Sequence, residues 1–199
     1  MHKNSLIIFA KNPVLGKVKT RLAKDTGEEK ALEVYKVLLK KTYQETKDFK
    51  EKKFLFLSDF FDKNLFDSSF IQVIQTGNDL GEKMKNAFEI IFQKRYTKAV
   101  IIGTDCPELD SNIINEAFEK LSHFDIVIGP AKDGGYYLLG MKEQYAFLFE
   151  NMKWSDQYVS DETIRRIIQN DLTYHLLKEL IDIDDIKDLK HFKSLGKQI

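Results

Sequence analysis

Cysteine is all but missing from this 199-residue chain, in which Cys106 stands alone. A single thiol excludes an internal disulfide framework and a Cys-rich zinc site. Net charge is missing too: 31 Lys and Arg balance 31 Asp and Glu, and the isoelectric point lies near 6.9. Such a balance leaves no electrostatic footprint for nucleic acid and no broad cationic face for a membrane, so any anionic ligand must be held locally. No run of about 18 apolar residues occurs, and no membrane span is expected. The N-terminus opens on a strand-like run, not on the long apolar stretch of a signal peptide, so a cytoplasmic location is the expectation. The four histidines (His2, His123, His175 and His191) are scattered, and no catalytic dyad can be read from them. No internal repeat, low-complexity tract or Pro/Gly/Ser linker breaks the chain, which predicts one domain over residues 1–199.

What is present is an ordinary globular content, 43% hydrophobic, with 15 Phe and a single Trp. A sizeable core is available, and the Phe-rich composition is compatible with a homodimer. Short apolar runs at Leu6–Phe9, Phe54–Leu57, Val73–Ile74, Val100–Ile102 and Ile126–Ile128 read as buried strands. Between them, helical periodicity marks Glu29–Thr42, Glu82–Gln93 and Ser111–Leu121, the last with Asp110 or Ser111 as cap. This alternation predicts an α/β fold with helices on both faces of a sheet. Tyr136–Leu139 follows Ile126–Ile128 after only a turn, so one antiparallel pair is expected in a mixed, mostly parallel sheet. A helix at Ser160–Gln169, a strand at Thr173–Leu176 and an amphipathic helix over Asp182–Leu195, with Ile186, Leu189 and Phe192 inward, complete the prediction.

Ligands of open α/β sheets collect at the carboxyl ends of strands, and four turns there carry chemistry. The first, AKNPVLGKVKTR (Ala10–Arg21), sets Lys11, Lys17, Lys19 and Arg21 around Gly16, where a phosphate would find cations and a closely approaching backbone. A solvated basic loop would contain the same residues. Neither G-x-G-x-x-G nor G-x-x-x-x-G-K-[ST] fits it. In the second, QTGNDLGE (Gln75–Glu82), Gln75 or Asp79 suits a nucleobase edge, and Asn78 or Asp79 equally suits a helix cap.

The third turn, VIIGTDCPEL (Val100–Leu109), puts Asp105 at the end of an apolar strand. A carboxylate there suits Mg²⁺ or Mn²⁺, which take one or two carboxylates together with substrate phosphates. It also suits a turn before the helix at Ser111. Cys106 reads as a buried small residue rather than a nucleophile. The fourth, GPAKDGGYYLLG (Gly129–Gly140), carries Lys132 and Asp133 beside a strong hairpin signal. It would bring Asp133 near Asp105 if their parent strands are neighbours. Trp154, followed by Ser155 and Asp156, is either a stacking platform for an acceptor sugar or core filling.

The segments FAKNPVLGKVKTRL, QTGNDLGEKM, IIGTDCPEL and GPAKDGGYYLLG resemble a bacterial glycosyltransferase family associated with radical-SAM and selenodomain proteins, often labelled arsenosugar biosynthesis glycosyltransferases. The likeness runs from about Leu6 to Leu139. Weaker echoes occur at WSDQYVSDET (Trp154–Thr163) and IDIDDIKDL (Ile181–Leu189). Broader relatives of that family include molybdenum-cofactor and phospholactate guanylyltransferases.

The resemblance implies a GT-A, nucleotide-diphospho-sugar transferase type of fold, a single-domain α/β/α sandwich. It implies that Lys11, Gly16, Lys19 and Arg21 lie near nucleotide phosphates and that Gln75, Asp79 and Gly81 lie in the nucleotide pocket. Asp105 takes the position of the metal-binding aspartate, with T-D-C-P in place of the usual D-x-D. Asp133 is the candidate for a base on the acceptor or for a second ligand to Mg²⁺ or Mn²⁺.

The expected reaction is glycosyl transfer from a nucleoside-diphosphate sugar to a small acceptor. Two alternatives share the same residues: nucleotidyl transfer from a nucleoside triphosphate, and nucleotide binding without catalysis.

Overall fold

A computed structural model describes residues 3–154 and 157–194. His2, Ser155, Asp156 and Leu195, named above, lie outside the described residues. Seven strands form one sheet in the order β3-β2-β1-β4-β6-β5-β7. They are β1 (Asn4–Ala10), β2 (Lys52–Leu57), β3 (Phe70–Ile74), β4 (Lys98–Ile102), β5 (Ile126–Pro130), β6 (Tyr136–Met141) and β7 (Tyr174–Leu176). β6 runs antiparallel to both its neighbours, and every other pairing is parallel. The predicted mixed α/β/α sandwich is therefore observed. One expectation needs correcting. The strands that precede the Asp105 and Asp133 turns are not neighbours, because β6 lies between β4 and β5.

Each strand alternates its side chains between two helical layers, as the pleat requires. Leu6 and Ile8 of β1 join one core with Tyr35 and Leu39 of α2 (Glu28–Thr46) and Ile114 and Phe118 of α4 (Ser111–Lys120). Ile7, between them, joins the opposite core with Met84, Phe88 and Ile91 of α3 (Leu80–Gln93) and Ile167 of α5 (Val159–Gln169). Burial on both faces explains why these strands read as continuous apolar runs rather than alternating ones. α2 carries a second buried stripe. Ala31, Val34 and Leu38 pack with Leu22 of the short α1 (Thr20–Thr26) and with Leu189 and Phe192 of α6 (Ile186–Ser194).

α6 begins at Ile186, four residues later than the periodicity suggested. Asp185 Oδ1 accepts the backbone N–H groups of Lys187 (2.7 Å) and Asp188 (3.1 Å), which starts the helix there. Among the described residues, no helix is long and apolar enough to cross a membrane.

β1 is flanked by β2 on one side and β4 on the other, so the chain reverses its winding direction between β1 and β4. The loops that follow these two strands meet at the sheet's carboxyl rim, where a crevice opens. Because β6 is antiparallel, the turn that precedes it opens on the same rim.

Candidate active site

A cavity of about 620 Å³ occupies that crevice, within the usual size for a small-molecule site. Its lining includes the apolar Phe9, Leu80, Met84 and Trp154 and the charged Lys19, Arg21, Asp105, Asp133, Asp182 and Asp184.

The cationic loop is anchored, not merely solvated. Asn12 is buried, and its Oδ1 accepts from Asp59 N (2.9 Å) while its Nδ2 donates to Phe60 O (2.9 Å), tying the loop to the end of β2. Tyr35 OH accepts from Lys11 N (2.8 Å) and donates to Lys11 O (3.0 Å). Thr104, in the loop after β4, donates to the same hydroxyl at 3.4 Å.

At the loop's end Lys19 adopts the left-handed conformation (φ 48°, ψ 44°) and starts α1. For a non-glycine residue that conformation costs about 1–2 kcal/mol, and here it aims the side chain into the cavity wall. The side chain is 3% exposed, with its ammonium 2.8 Å from Asp105 Oδ1 and 3.1 Å from Asp184 Oδ1. Burial works against its charge, but the Asp105 and Asp184 carboxylates outweigh burial and leave its pKa raised. Arg21 lies 3.7 Å from Asp184 and is largely exposed. Lys11 also lines the cavity.

Gly16 takes another role than the one expected. Its φ of 75° makes the turn closed by Lys17 N to Val14 O, and it faces the Glu28 carboxylate rather than the cavity. Gln75 does line the cavity, but its amide nitrogen is engaged by Ala10 O (3.1 Å) and Phe56 O (2.9 Å), where it clamps the ends of β1 and β2. Asp79 caps α3, its Oδ1 accepting from Glu82 N at 2.8 Å, and is not among the lining residues. Gly81 serves the cavity through Trp154. A Cβ at that position would fall 2.1 Å from the indole Nε1, so only glycine lets the indole lie there, stacked on Phe149. Trp154 is thus both core filling and cavity wall.

Asp105 lies in the turn after β4, and its carbonyl accepts from Ile183 N (2.9 Å). Cys106 beside it is buried, and burial pushes its thiol pKa up, so it is no thiolate nucleophile. Asp110 caps α4 through Ile113 N (2.9 Å). Asp133 reaches the cavity on the turn between β5 and β6, with Oδ1 accepting from Gly135 N at 2.9 Å. The turn is held by Gly134, whose φ of 89° and close approach to Gln157 O leave no room for a Cβ.

Two site residues were not predicted, Asp182 and Asp184. They belong to Ile181-Asp-Ile-Asp-Asp185, read as the start of a helix. The segment is instead extended. Ile181 and Ile183 turn to the α1–α2–α6 core, while Asp182 and Asp184 line the cavity. The apolar–acidic alternation was the available signal.

Burial pushes the Asp182 carboxyl up to about 7, with Asp105, Asp133 and Asp184 adding to the shift and Lys19 opposing it. The unfolded chain loses this proton near 3.8. Between the two values only the folded chain holds it, so the stability from this group is complete below the lower value and is lost as pH rises through the higher. Asp182→Asn, neutral throughout, is expected to gain on the wild type from about pH 5 to about pH 8, by roughly 1–2 kcal/mol after allowance for the partial exposure of Asp182. Thermal melts across that range check it, and a constant difference contradicts it.

Among the described residues, no group of three His, Cys, Asp or Glu side chains is disposed to hold a metal ion.

The family model described as "Uncharacterized protein conserved in bacteria (DUF2064)" matches residues 42–156. Among solved structures, the chain is similar to a Desulfovibrio desulfuricans G20 protein provisionally named a nucleotide-diphospho-sugar transferase. That likeness has a TM-score of 0.92 at 28% identity, covering 100% of this chain and 89% of that one. It is also similar to the 4-diphosphocytidyl-2C-methyl-D-erythritol synthase of Anaerococcus prevotii DSM 20548 (TM-score 0.66, 12% identity, 99% and 97% covered). A third likeness is to the inositol-1-phosphate CTP transferase of T. maritima (TM-score 0.59, 13% identity, 99% and 96% covered). No curated protein matches the chain. The fold is that of the nucleotide-diphospho-sugar transferases.

Proposed function

The chain belongs to the bacterial family DUF2064, and on that premise we propose that it transfers a glycosyl group from a nucleoside-diphosphate sugar to a small acceptor. It is a transferase by kinship with the nucleotide-diphospho-sugar and nucleotidyl transferases that share its fold. The likeness of its four motifs to the radical-SAM-associated glycosyltransferases belongs to the same proposal.

The observation that carries the reading is one cavity lined by both an apolar, aromatic set and a charged set of side chains. The set formed by Phe9, Leu80, Met84 and Trp154 suits the flat face of a nucleobase. The set formed by Lys19 and Arg21, with Lys11, suits the diphosphate.

When the bond from the anomeric carbon to the β-phosphate oxygen breaks, its electron pair leaves on the diphosphate. Lys19 and Arg21 are placed to meet that growing charge, and fixed groups of this kind supply the largest electrostatic share of many rate enhancements. The acceptor oxygen bonds to the anomeric carbon, and its proton passes to a carboxylate. Asp133 is our assignment for that base, since it lines the cavity on a turn held by the bond from Gly135 N to its Oδ1.

Mg²⁺ or Mn²⁺ is implied by the fold family. With Lys19 between Asp105 and Asp184, the residues as they stand do not fit a divalent ion, and no step here depends on one. Asp105 then acts by holding Lys19 in place.

The acidic lining also bears on the rival reaction. Three cations (Lys11, Lys19, Arg21) share the cavity with the carboxylates Asp105, Asp133 and Asp184 and with Asp182, which burial keeps partly protonated near neutral pH. A carboxylate base suits a sugar or alcohol hydroxyl, which must lose a proton as it attacks, and so favours glycosyl over nucleotidyl transfer, whose phosphate acceptor needs no base.

The test is product analysis with nucleoside-diphosphate sugars and nucleoside triphosphates as donors. Release of nucleoside diphosphate supports the proposal. Pyrophosphate release signals nucleotidyl transfer, and binding without turnover signals a non-catalytic module. Asp105→Asn should lower the rate by about two to three powers of ten, and a near-normal rate contradicts its role.

A further inference from the structure

Tyr136 and Tyr137 are consecutive residues at the start of β6, and the pleat sends them to opposite faces of the sheet. Tyr137 joins the core that holds Tyr35 and Ile114, and its hydroxyl donates to Lys178 O at 2.9 Å. Tyr136 packs against the opposite core, as Phe9 and Trp154 do, and its hydroxyl has no hydrogen-bond partner among the described residues. We infer that the Tyr136 hydroxyl selects the sugar, by pairing with a hydroxyl of the glycosyl unit that the nucleoside diphosphate carries. The inference rests on the reading of the cavity as the site of a nucleoside-diphosphate sugar.

Buried phenols ordinarily find a partner, and Tyr35 does so through Lys11 O as Tyr137 does through Lys178 O. Tyr136 departs from that pattern. Burial raises its phenol above the ordinary pKa with no charge or hydrogen bond contributing, so the oxygen lies deep in the fold. Yet that oxygen is not shut off from solvent. Tyr136 is half-buried and lines the cavity, and the cavity is the route by which a deep oxygen stays within reach.

Its place along the chain says which part of the ligand it meets. Tyr136 stands three residues beyond Asp133, the assigned base, at the end of the same turn. That turn is fixed by the Ala131 N to Gly135 O and Gly134 N to Ala131 O bonds, both 3.0 Å, and by the approach of Gly134 to Gln157. During transfer the group beside Asp133 is the anomeric carbon with the ring that bears it, so the ring's hydroxyls come nearest to Tyr136. A phenol both donates and accepts, as a sugar hydroxyl does. Phe9 and Met84, which line the cavity from the same core, offer no comparable partner. A site built to pair a substrate hydroxyl rejects the analogue that lacks it far more strongly than one that only fits its shape.

The experiment is calorimetric titration of the full chain, wild type against Tyr136→Phe. The probes are UDP-glucose, GDP-mannose, ADP-glucose and CDP-glucose, each beside its own nucleoside diphosphate. The variant should bind the diphosphate as the wild type does and bind the sugar nucleotide about 10- to 100-fold more weakly. Forms of the bound sugar nucleotide deoxygenated in turn at C2, C3, C4 and C6 are then titrated into both proteins. One of them should bind the wild type more weakly by a similar factor and lose nothing further in Tyr136→Phe, the signature of a direct pair. Without ligand, Tyr136→Phe should melt no lower than wild type, because no protein hydrogen bond is lost. Tyr137→Phe, which loses the bond to Lys178, should melt lower.

Equal affinity of wild type and Tyr136→Phe for the sugar nucleotide overturns the inference. So does an equal loss of affinity for the bare diphosphate, which puts the hydroxyl on the nucleotide. A fall in melting temperature as large as that of Tyr137→Phe overturns it too, by giving the hydroxyl a protein partner. If the wild type binds neither the sugar nucleotides nor the diphosphates, the nucleotide reading itself fails and takes the inference with it, a result distinct from the other three.

Discussion

Asp133→Asn is expected to slow glycosyl transfer by about two to four powers of ten and to leave the melting temperature almost unchanged. The two halves of that expectation have separate causes. Asparagine presents the same Oδ1 to Gly135 N–H that aspartate uses at 2.9 Å, so the turn keeps its internal bond. Gly134 keeps its φ of 89° against Gln157, and its carbonyl keeps the Ser160 N–H at 2.9 Å. What disappears is the negative charge and the oxygen that takes the acceptor's proton. An acceptor that attacks through a phosphate brings its own charge and needs no base, so for nucleotidyl transfer the loss shrinks to less than about tenfold. Steady-state rates beside thermal melts check both halves. A wild-type rate removes Asp133 from the chemistry, and a large fall in melting temperature returns it to the turn alone.

Lys19→Met is expected to weaken nucleoside diphosphate binding and to lower turnover by about two to three powers of ten. It is also expected to destabilise the metal-free protein, because Asp105 and Asp184 lose the cation between them. Removing one partner of a fully buried pair costs about 3–5 kcal/mol. With both carboxylates about two-fifths exposed, water recovers part of that, and about 1–3 kcal/mol is the expected loss. Lys19→Arg should not restore function. A planar, forked guanidinium does not reproduce the compact ammonium that meets Asp105 and Asp184 from a side chain 3% exposed, and the two cations are not interchangeable in such a place. Calorimetric titration and melting curves on both variants check this, and a diphosphate affinity equal to wild type in Lys19→Met contradicts it.

The sheet was legible because its strands are buried on both faces. Ile, Val, Leu and Phe runs such as Leu6–Phe9 and Val100–Ile102 admit few other readings, and a short turn between β5 and β6 forces an antiparallel pair. Strand order was not legible. Nothing in Tyr136–Met141 tells a reader that it enters between β4 and β5, because side-chain alternation specifies a face and not a neighbour.

In the site, Lys11, Lys19, Arg21, Gln75, Asp105 and Asp133, all read from strand-end turns, line one cavity. Gly16 and Asp79 belong instead to a turn and a helix cap, the ordinary uses of those residue types. Asp182 and Asp184 escaped notice because Ile186, Leu189 and Phe192 gave the whole tail a helical period. The period-two stretch Ile181–Asp184 was absorbed into it. Lys19 was expected to face phosphate alone, and its pairing with Asp105 across the β1/β4 crevice joins residues far apart in the chain, a contact no local pattern encodes.

A crystal structure of the chain grown with a nucleoside diphosphate is the most direct measurement. The diphosphate should lie in the crevice between β1 and β4 with a phosphate oxygen about 3 Å from Lys19 Nζ, and the base should lie against Trp154 and Leu80. A diphosphate bound elsewhere on the chain, with Lys19 still paired to Asp105 and Asp184, would contradict the assignment of this cavity.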